Sequence, residues 1–175
     1  FSPAHALACA EAYTRGIERR LEAGRSPAIG SVASLFISRW DPFTADRLPT
    51  DLKGRLGLAI GWEAYTRYEA FFATERWARL RAAGARPQRL LFASTGTKDP
   101  SAPPTLYAAG LAAPDTVDTM PEETLLACGS TDLAVTPLSK DAAASAANLA
   151  RFTAAGIDVD AAAGELQRKG ADAFV

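Results

Sequence analysis

The chain has 175 residues, 48% of them hydrophobic and 22% charged, with a formal net charge of −1. That is enough apolar material to bury one core, and too little positive charge to mark a nucleic-acid or membrane-surface partner. No apolar run suits a bilayer span. Cys9 and Cys128 show neither metal spacing nor a disulfide framework, so the expectation is a cytoplasmic protein with two reduced, mostly buried thiols.

The chain opens Phe1-Ser2-Pro3. Ser2 suits an N-cap and Pro3 the first helical position, where its missing N–H costs nothing. A helix is expected from Pro3 to about Ala23, closed by Gly24. Phe1 then reads as the last residue of a strand. At the other end, "ELQRKGADAFV" stops as a new apolar segment begins. Both ends therefore read as cuts within a larger domain.

"PAIGSVASLFIS" (27–38) is apolar, β-branched and without a helical period, which predicts a buried strand near Ile29–Leu35. A polar loop with two prolines follows (39–51), partly helical. Residues 52–84 form one long amphipathic segment ended by Gly84, with Ala64, Tyr68, Phe71, Phe72 and Trp77 on one face. "PQRLLFAS" (87–94) is the second buried strand and 103–112 a short helix. A short strand (115–120), a short helix (121–129) and helices over 139–156 and 158–170 complete the order. Short apolar strands separated by amphipathic helices predict a parallel α/β sheet built by right-handed crossovers. No Gly-rich dinucleotide fingerprint or P-loop follows any strand, so a (β/α)8 barrel is favoured; such barrels run to about 250 residues, and this chain suffices for roughly half of one.

Active sites in such barrels lie at the C-terminal ends of the strands. There the sequence offers Ser34 and Arg39, then Ser94, Thr95, Gly96, Thr97 and Lys98, then Thr119. Arg39 can grip a phosphate in a bidentate way, Lys98 adds a point charge, and hydroxyls with loop N–H groups complete an anion cage. The same pattern also fits a solvated polar loop, or a Lys98 that forms a Schiff base if burial lowers its pKa.

Three segments together, "SVASLFISRWD" (31–41), "ARPQRLLFASTGTKDP" (85–100) and "LYAAGLAAPDTVDTMPEETL" (106–125), resemble the second half of transaldolase. They are most similar to the longer bacterial branch, members of which can be fused to a phosphoglucose isomerase domain. The resemblance implies the C-terminal half of a TIM barrel of the class I aldolase type over residues 1–175. It implies transfer of a dihydroxyacetone unit from sedoheptulose 7-phosphate to glyceraldehyde 3-phosphate, in the pentose phosphate pathway. A lysine Schiff base carries the unit, so neither metal nor organic cofactor is implied. Partners are sugar phosphates, with no nucleic acid or membrane; oligomeric state stays open.

By position, Ser34 and Arg39 match the family's substrate-binding serine and arginine, with the arginine on the phosphate. Ser94 matches the serine ending the next strand. Where the commoner form reads Ser-x-Arg, this chain has Ser94-Thr95-Gly96, and Lys98 is the substitute charge. The family's Schiff-base lysine sits in an apolar strand context that Lys53, Lys140 and Lys169 lack. It is expected upstream of Phe1, together with the catalytic aspartate, glutamate and threonine. The alternatives are a non-catalytic sugar-phosphate-binding fragment and fructose-6-phosphate aldolase activity. Of the remaining residues, His5 is expected at the surface. The aromatic stripe including Trp62 and Tyr65 is expected in packing. Trp40 is expected in the core or as a pocket wall. Asp41 and Asp99 are candidates to orient Arg39 and Lys98.

Overall fold

Ser2 and Pro3 begin the first helix as their chemistry requires. In the computed structural model, which describes residues 1–130 and 132–172, the Ser2 hydroxyl accepts from the His5 N–H at 3.2 Å. Helix α1 (Pro3–Glu22) follows, and Gly24 closes it at φ 65°, a conformation that costs glycine nothing. Then come β1 (Val32–Phe36), α2 (Trp40–Thr44), α3 (Leu56–Phe72), α4 (Glu75–Ala82), β2 (Arg89–Ala93), α5 (Leu106–Gly110), β3 (Val117–Thr119), α6 (Glu122–Ser130), α7 (Ala142–Ala154) and α8 (Val159–Asp172).

The three strands form one sheet in the order β1-β2-β3, all parallel. Val32 pairs with Arg89 and Phe36 with Ala93; Leu91 pairs with Val117 and Ala93 with Thr119. Each crossover carries helices, as parallel pairing demands. Helix α3 packs against α1 and α7 and reaches the sheet. Leu56, Ile60 and Ala64 of α3 join Leu35, Leu90 and Phe92 in one core. Three strands are what the described residues supply; they do not close a barrel.

Two strand expectations change. The first strand starts later, because Ile29 is 37% exposed and its N–H turns back to Pro27 O. It is also buried on one face only: Ala33 and Leu35 are in the core, while Val32 and Phe36 are 44% and 37% exposed.

The segment 52–84 is two helices, not one. Thr74 is extended (φ −68°, ψ 156°), its hydroxyl donates to Phe71 O at 2.9 Å, and it stands at the N-cap of α4 with Glu75 in the first turn. The break lets the aromatic stripe turn a corner: Phe72 meets Tyr68 at 5.4 Å and Trp77 at 4.7 Å between ring centroids. Arg76 then reaches back to α1, holding Glu18 through two contacts (2.6 and 2.7 Å) and Glu11 through one (2.7 Å). Asp141 caps α7 by accepting from Ala144 N–H, and Asp158 does the same for α8 at Ala161. The thiols are less buried than expected: Cys9 is exposed and Cys128 is half-buried. Alanine-rich helices offer small residues enough to fill their inner faces, so cysteine is not needed there.

Candidate active site

Both long strands end in serine, and the two ends are tied. Beyond the last ladder pair, Ile37 N–H donates to Ala93 O and Ser38 N–H to Ser94 O, each at 3.0 Å. The Ser38 and Ser94 hydroxyls also lie 3.0 Å apart. Ser94 sits at φ 58°, in the left-handed region that a residue with a Cβ enters at a cost. The pleat is interrupted there. The hydroxyl of Thr95, fully buried, reaches Asp118 of β3 at 2.5 Å and the Thr119 carbonyl at 3.2 Å. Burial pushes the Asp118 carboxyl up, against the Thr95 hydrogen bond.

Gly96 is wedged against α6. A Cβ there would lie 2.7 Å from Pro121 Cγ and 3.3 Å from Thr124 Oγ1. No side chain fits at position 96 without moving a proline ring. The loop therefore carries its cation two residues later, at Lys98, which is exposed.

Arg39 lies three residues beyond the end of β1. Its guanidinium carbon lies 5.8 Å from the centroid of the Phe36 ring, a cation–π distance, and Phe1 stacks on the same Phe36 ring at 5.3 Å between centroids. Among the described residues no carboxylate pairs with Arg39. Ser34 lies on the same open face as Phe36 and lines a cavity of about 490 Å³ with Phe1, His5 and Gln167. Lys98 lines a different cavity, of about 350 Å³, with Lys53, Asp41 and Tyr107. The parallel pairing thus brings Ser38 and Ser94 together, while Arg39 lies over Phe36, on the strand face that also bears Ser34, and Lys98 lines a separate cavity.

Asp41 does not orient Arg39. Its carboxylate accepts from Leu56 N–H at 2.8 Å, from Gly57 N–H at 3.3 Å and from the Tyr107 hydroxyl at 2.5 Å. It is the N-terminal cap of α3, supplied from 15 residues upstream. Gly57 is required for that approach, since a Cβ would stand 3.0 Å from Asp41 Oδ2. Burial pushes the Asp41 carboxyl up, opposed by Tyr107 and the two amides; burial and the adjacent carboxylate push the Tyr107 hydroxyl up strongly. Asp99 does not orient Lys98 either: it accepts from the Ser101 hydroxyl and N–H at 2.7 and 2.9 Å, and these contacts hold its carboxyl down. Trp40 is fully buried in the core. His5 is exposed.

Ser38, Asp118 and Tyr107 were not singled out by sequence. Ser38 had a signal, a second hydroxyl directly before Arg39. Asp118 and Tyr107 had none, because their partners lie 23 and 66 residues away.

A family model described as transaldolase/fructose-6-phosphate aldolase matches residues 1–175. The chain is 43% identical over 175 residues to a protein named transaldolase from Neisseria meningitidis serogroup A, covering 99% of this chain and 50% of that protein. It is equally similar, 43% over 175 residues, to one from Neisseria gonorrhoeae. A transaldolase from Saccharopolyspora erythraea is 42% identical over 171 residues, with 94% of this chain and 47% of the relative covered. The chain spans about half the length of the curated relatives it matches.

Proposed function

The chain belongs to the transaldolase/fructose-6-phosphate aldolase family, and from that premise we propose that it is the phosphate-binding half of a transaldolase. The whole enzyme would move a dihydroxyacetone unit from sedoheptulose 7-phosphate to glyceraldehyde 3-phosphate on a lysine Schiff base, within one (β/α)8 barrel whose C-terminal half is residues 1–175. The observation that carries this reading is a family match spanning both strand-end motifs, SLFISR and STGTK, on adjacent parallel strands.

In this reading Arg39 and Ser34 take the substrate phosphate. Arg39 has no competing carboxylate among the described residues, and its planar donors suit two phosphate oxygens at once. The tied Ser38–Ser94 pair holds the two strand ends in register. Lys98 adds the second charge from the neighbouring cavity, because Gly96 leaves no room for a longer side chain.

The covalent step needs an amine that can lose its proton. Lys98 and Lys53 are exposed, while Lys140 pairs with Glu69 and Lys169 with Glu165. None of the four is buried, and burial is what lowers a lysine's pKa enough to free the amine. We therefore assign the Schiff base, with its acid–base partners, to parts of the whole protein outside these residues. Arg39→Ala in the full-length enzyme tests the assignment: sugar-phosphate KM rises more than tenfold, equivalent to about 2–3 kcal/mol, as expected for a lost charge-assisted contact. An unchanged KM refutes it.

The family description also names fructose-6-phosphate aldolase. Products formed from fructose 6-phosphate with and without an acceptor aldose separate the two. A transaldolase needs the acceptor to turn over; an aldolase releases dihydroxyacetone without it.

A further inference from the structure

One large cavity is not at the strand ends that carry Ser34 and Ser94. It lies at the opposite pole, where β1 and β2 begin, and measures about 770 Å³. Its wall from α3 is aromatic: Tyr65, Tyr68 and Phe72. Its polar backing is built. The Tyr68 hydroxyl donates to Gln88 Oε1 at 2.9 Å, and Gln88 Nε2 donates to Ser31 Oγ at 2.9 Å. Gln88 is 8% exposed.

Three arginines, Arg81, Arg86 and Arg89, line this cavity, and among the described residues none has an ion-pair partner. Two carboxylates face them, Glu69 and Asp115, and Glu69 is already paired with Lys140. The balance is cationic. A second observation is independent of charge. Tyr65 is 1% exposed, yet its hydroxyl has no hydrogen-bond partner. Buried polar atoms are almost always paired. Tyr65 itself lines the cavity, together with Glu69 and Asp115.

We propose that this cavity is a second binding site, distinct from the sugar-phosphate site, for a small organic anion. Its oxyanion would be gripped by Arg81 and Arg86, and its apolar body would rest against the α3 aromatics. The reading does not depend on the transaldolase assignment. Fork-like guanidiniums bind oxyanions in pairs, and mostly apolar walls with few convergent polar groups are the usual make-up of ligand cavities.

Phenyl phosphate, titrated into the full-length protein by calorimetry with saturating fructose 6-phosphate present, tests this. One equivalent binds under these conditions. Arg81→Gln/Arg86→Gln weakens it at least tenfold while the sugar-phosphate KM is unchanged; Tyr65→Phe, which keeps the fold without the hydroxyl, weakens it by a smaller factor. Inorganic phosphate, lacking the apolar body, binds more weakly than phenyl phosphate. The proposal is overturned if fructose 6-phosphate abolishes binding, if Arg39→Ala rather than the double variant abolishes it, or if phenyl phosphate does not bind at all. Failure of the transaldolase reading shows separately, as an Arg39→Ala enzyme with unaltered KM.

Discussion

The hydroxyls of Ser38 and Ser94 lie 3.0 Å apart, one at the end of each of two parallel strands, and Ser94 holds φ 58° to make the contact. Strain of that kind persists where the surroundings over-determine it. Here two backbone bonds and one hydroxyl pair do so.

Replacing Ser94 separates strain from chemistry. Ser94→Val adds a branched side chain at a positive φ and deletes the hydroxyl; a loss of about 2–3 kcal/mol is expected in urea unfolding of the full-length protein. Ser94→Gly removes the same hydroxyl but accepts the backbone, so stability changes by less than about 1 kcal/mol. If both variants nonetheless raise KM, the hydroxyl serves substrate; if only the valine does, it serves the turn.

Gly96→Ala probes the wedge against α6. The new methyl meets the Pro121 ring at 2.7 Å, and a proline cannot swing aside. Overpacking of this kind costs about 1–3 kcal/mol. The loop moves, Lys98 moves with it, and KM rises in step with lost stability. A Gly96→Ala enzyme of native stability would show that the loop yields freely.

Asp41 sets a pH signature. Its carboxyl is raised by burial, so the folded state holds a proton to higher pH than the unfolded state does. Stability contributed by this group is therefore greatest in acid and falls as pH rises from the ordinary carboxylate value to the raised folded value. Asp41→Asn keeps an acceptor for Leu56 and Gly57 and cannot titrate. Unfolding of both proteins from pH 4 to 7 isolates the effect from Asp118, whose carboxyl is raised too. Wild type should lose ground to the asparagine variant as pH rises; the opposite slope means the carboxylate is held down, not up.

The Arg76 clamp between α4 and α1 is about one-third exposed on each side. Solvent screening keeps it small despite its good geometry. Arg76→Lys forfeits the two-point contact with Glu18 and should cost under about 1 kcal/mol, with the difference shrinking in 1 M salt. A larger, salt-independent loss would instead assign Arg76 a packing role.

What the sequence determined by itself was local or periodic. Ser2 and Pro3 open α1 because a cap and a fixed φ act within one turn. The alternation of short apolar runs with amphipathic helices dictates parallel pairing, and parallel pairing places SLFISR and STGTK at one end of the sheet. The tertiary structure decided everything that depends on partners far along the chain. Asp41 lies two residues from Arg39, yet it serves α3 and Tyr107, because the β1–β2 crossover carries those amides to it and the β2–β3 crossover carries that hydroxyl. The split at Thr74, the tie between Ser38 and Ser94, the separate cavities of Ser34 and Lys98, and the arginine-lined cavity at the other pole have the same origin. Periodicity says which face of an element is apolar. Only the angles at which the elements cross say which side chains that face will meet.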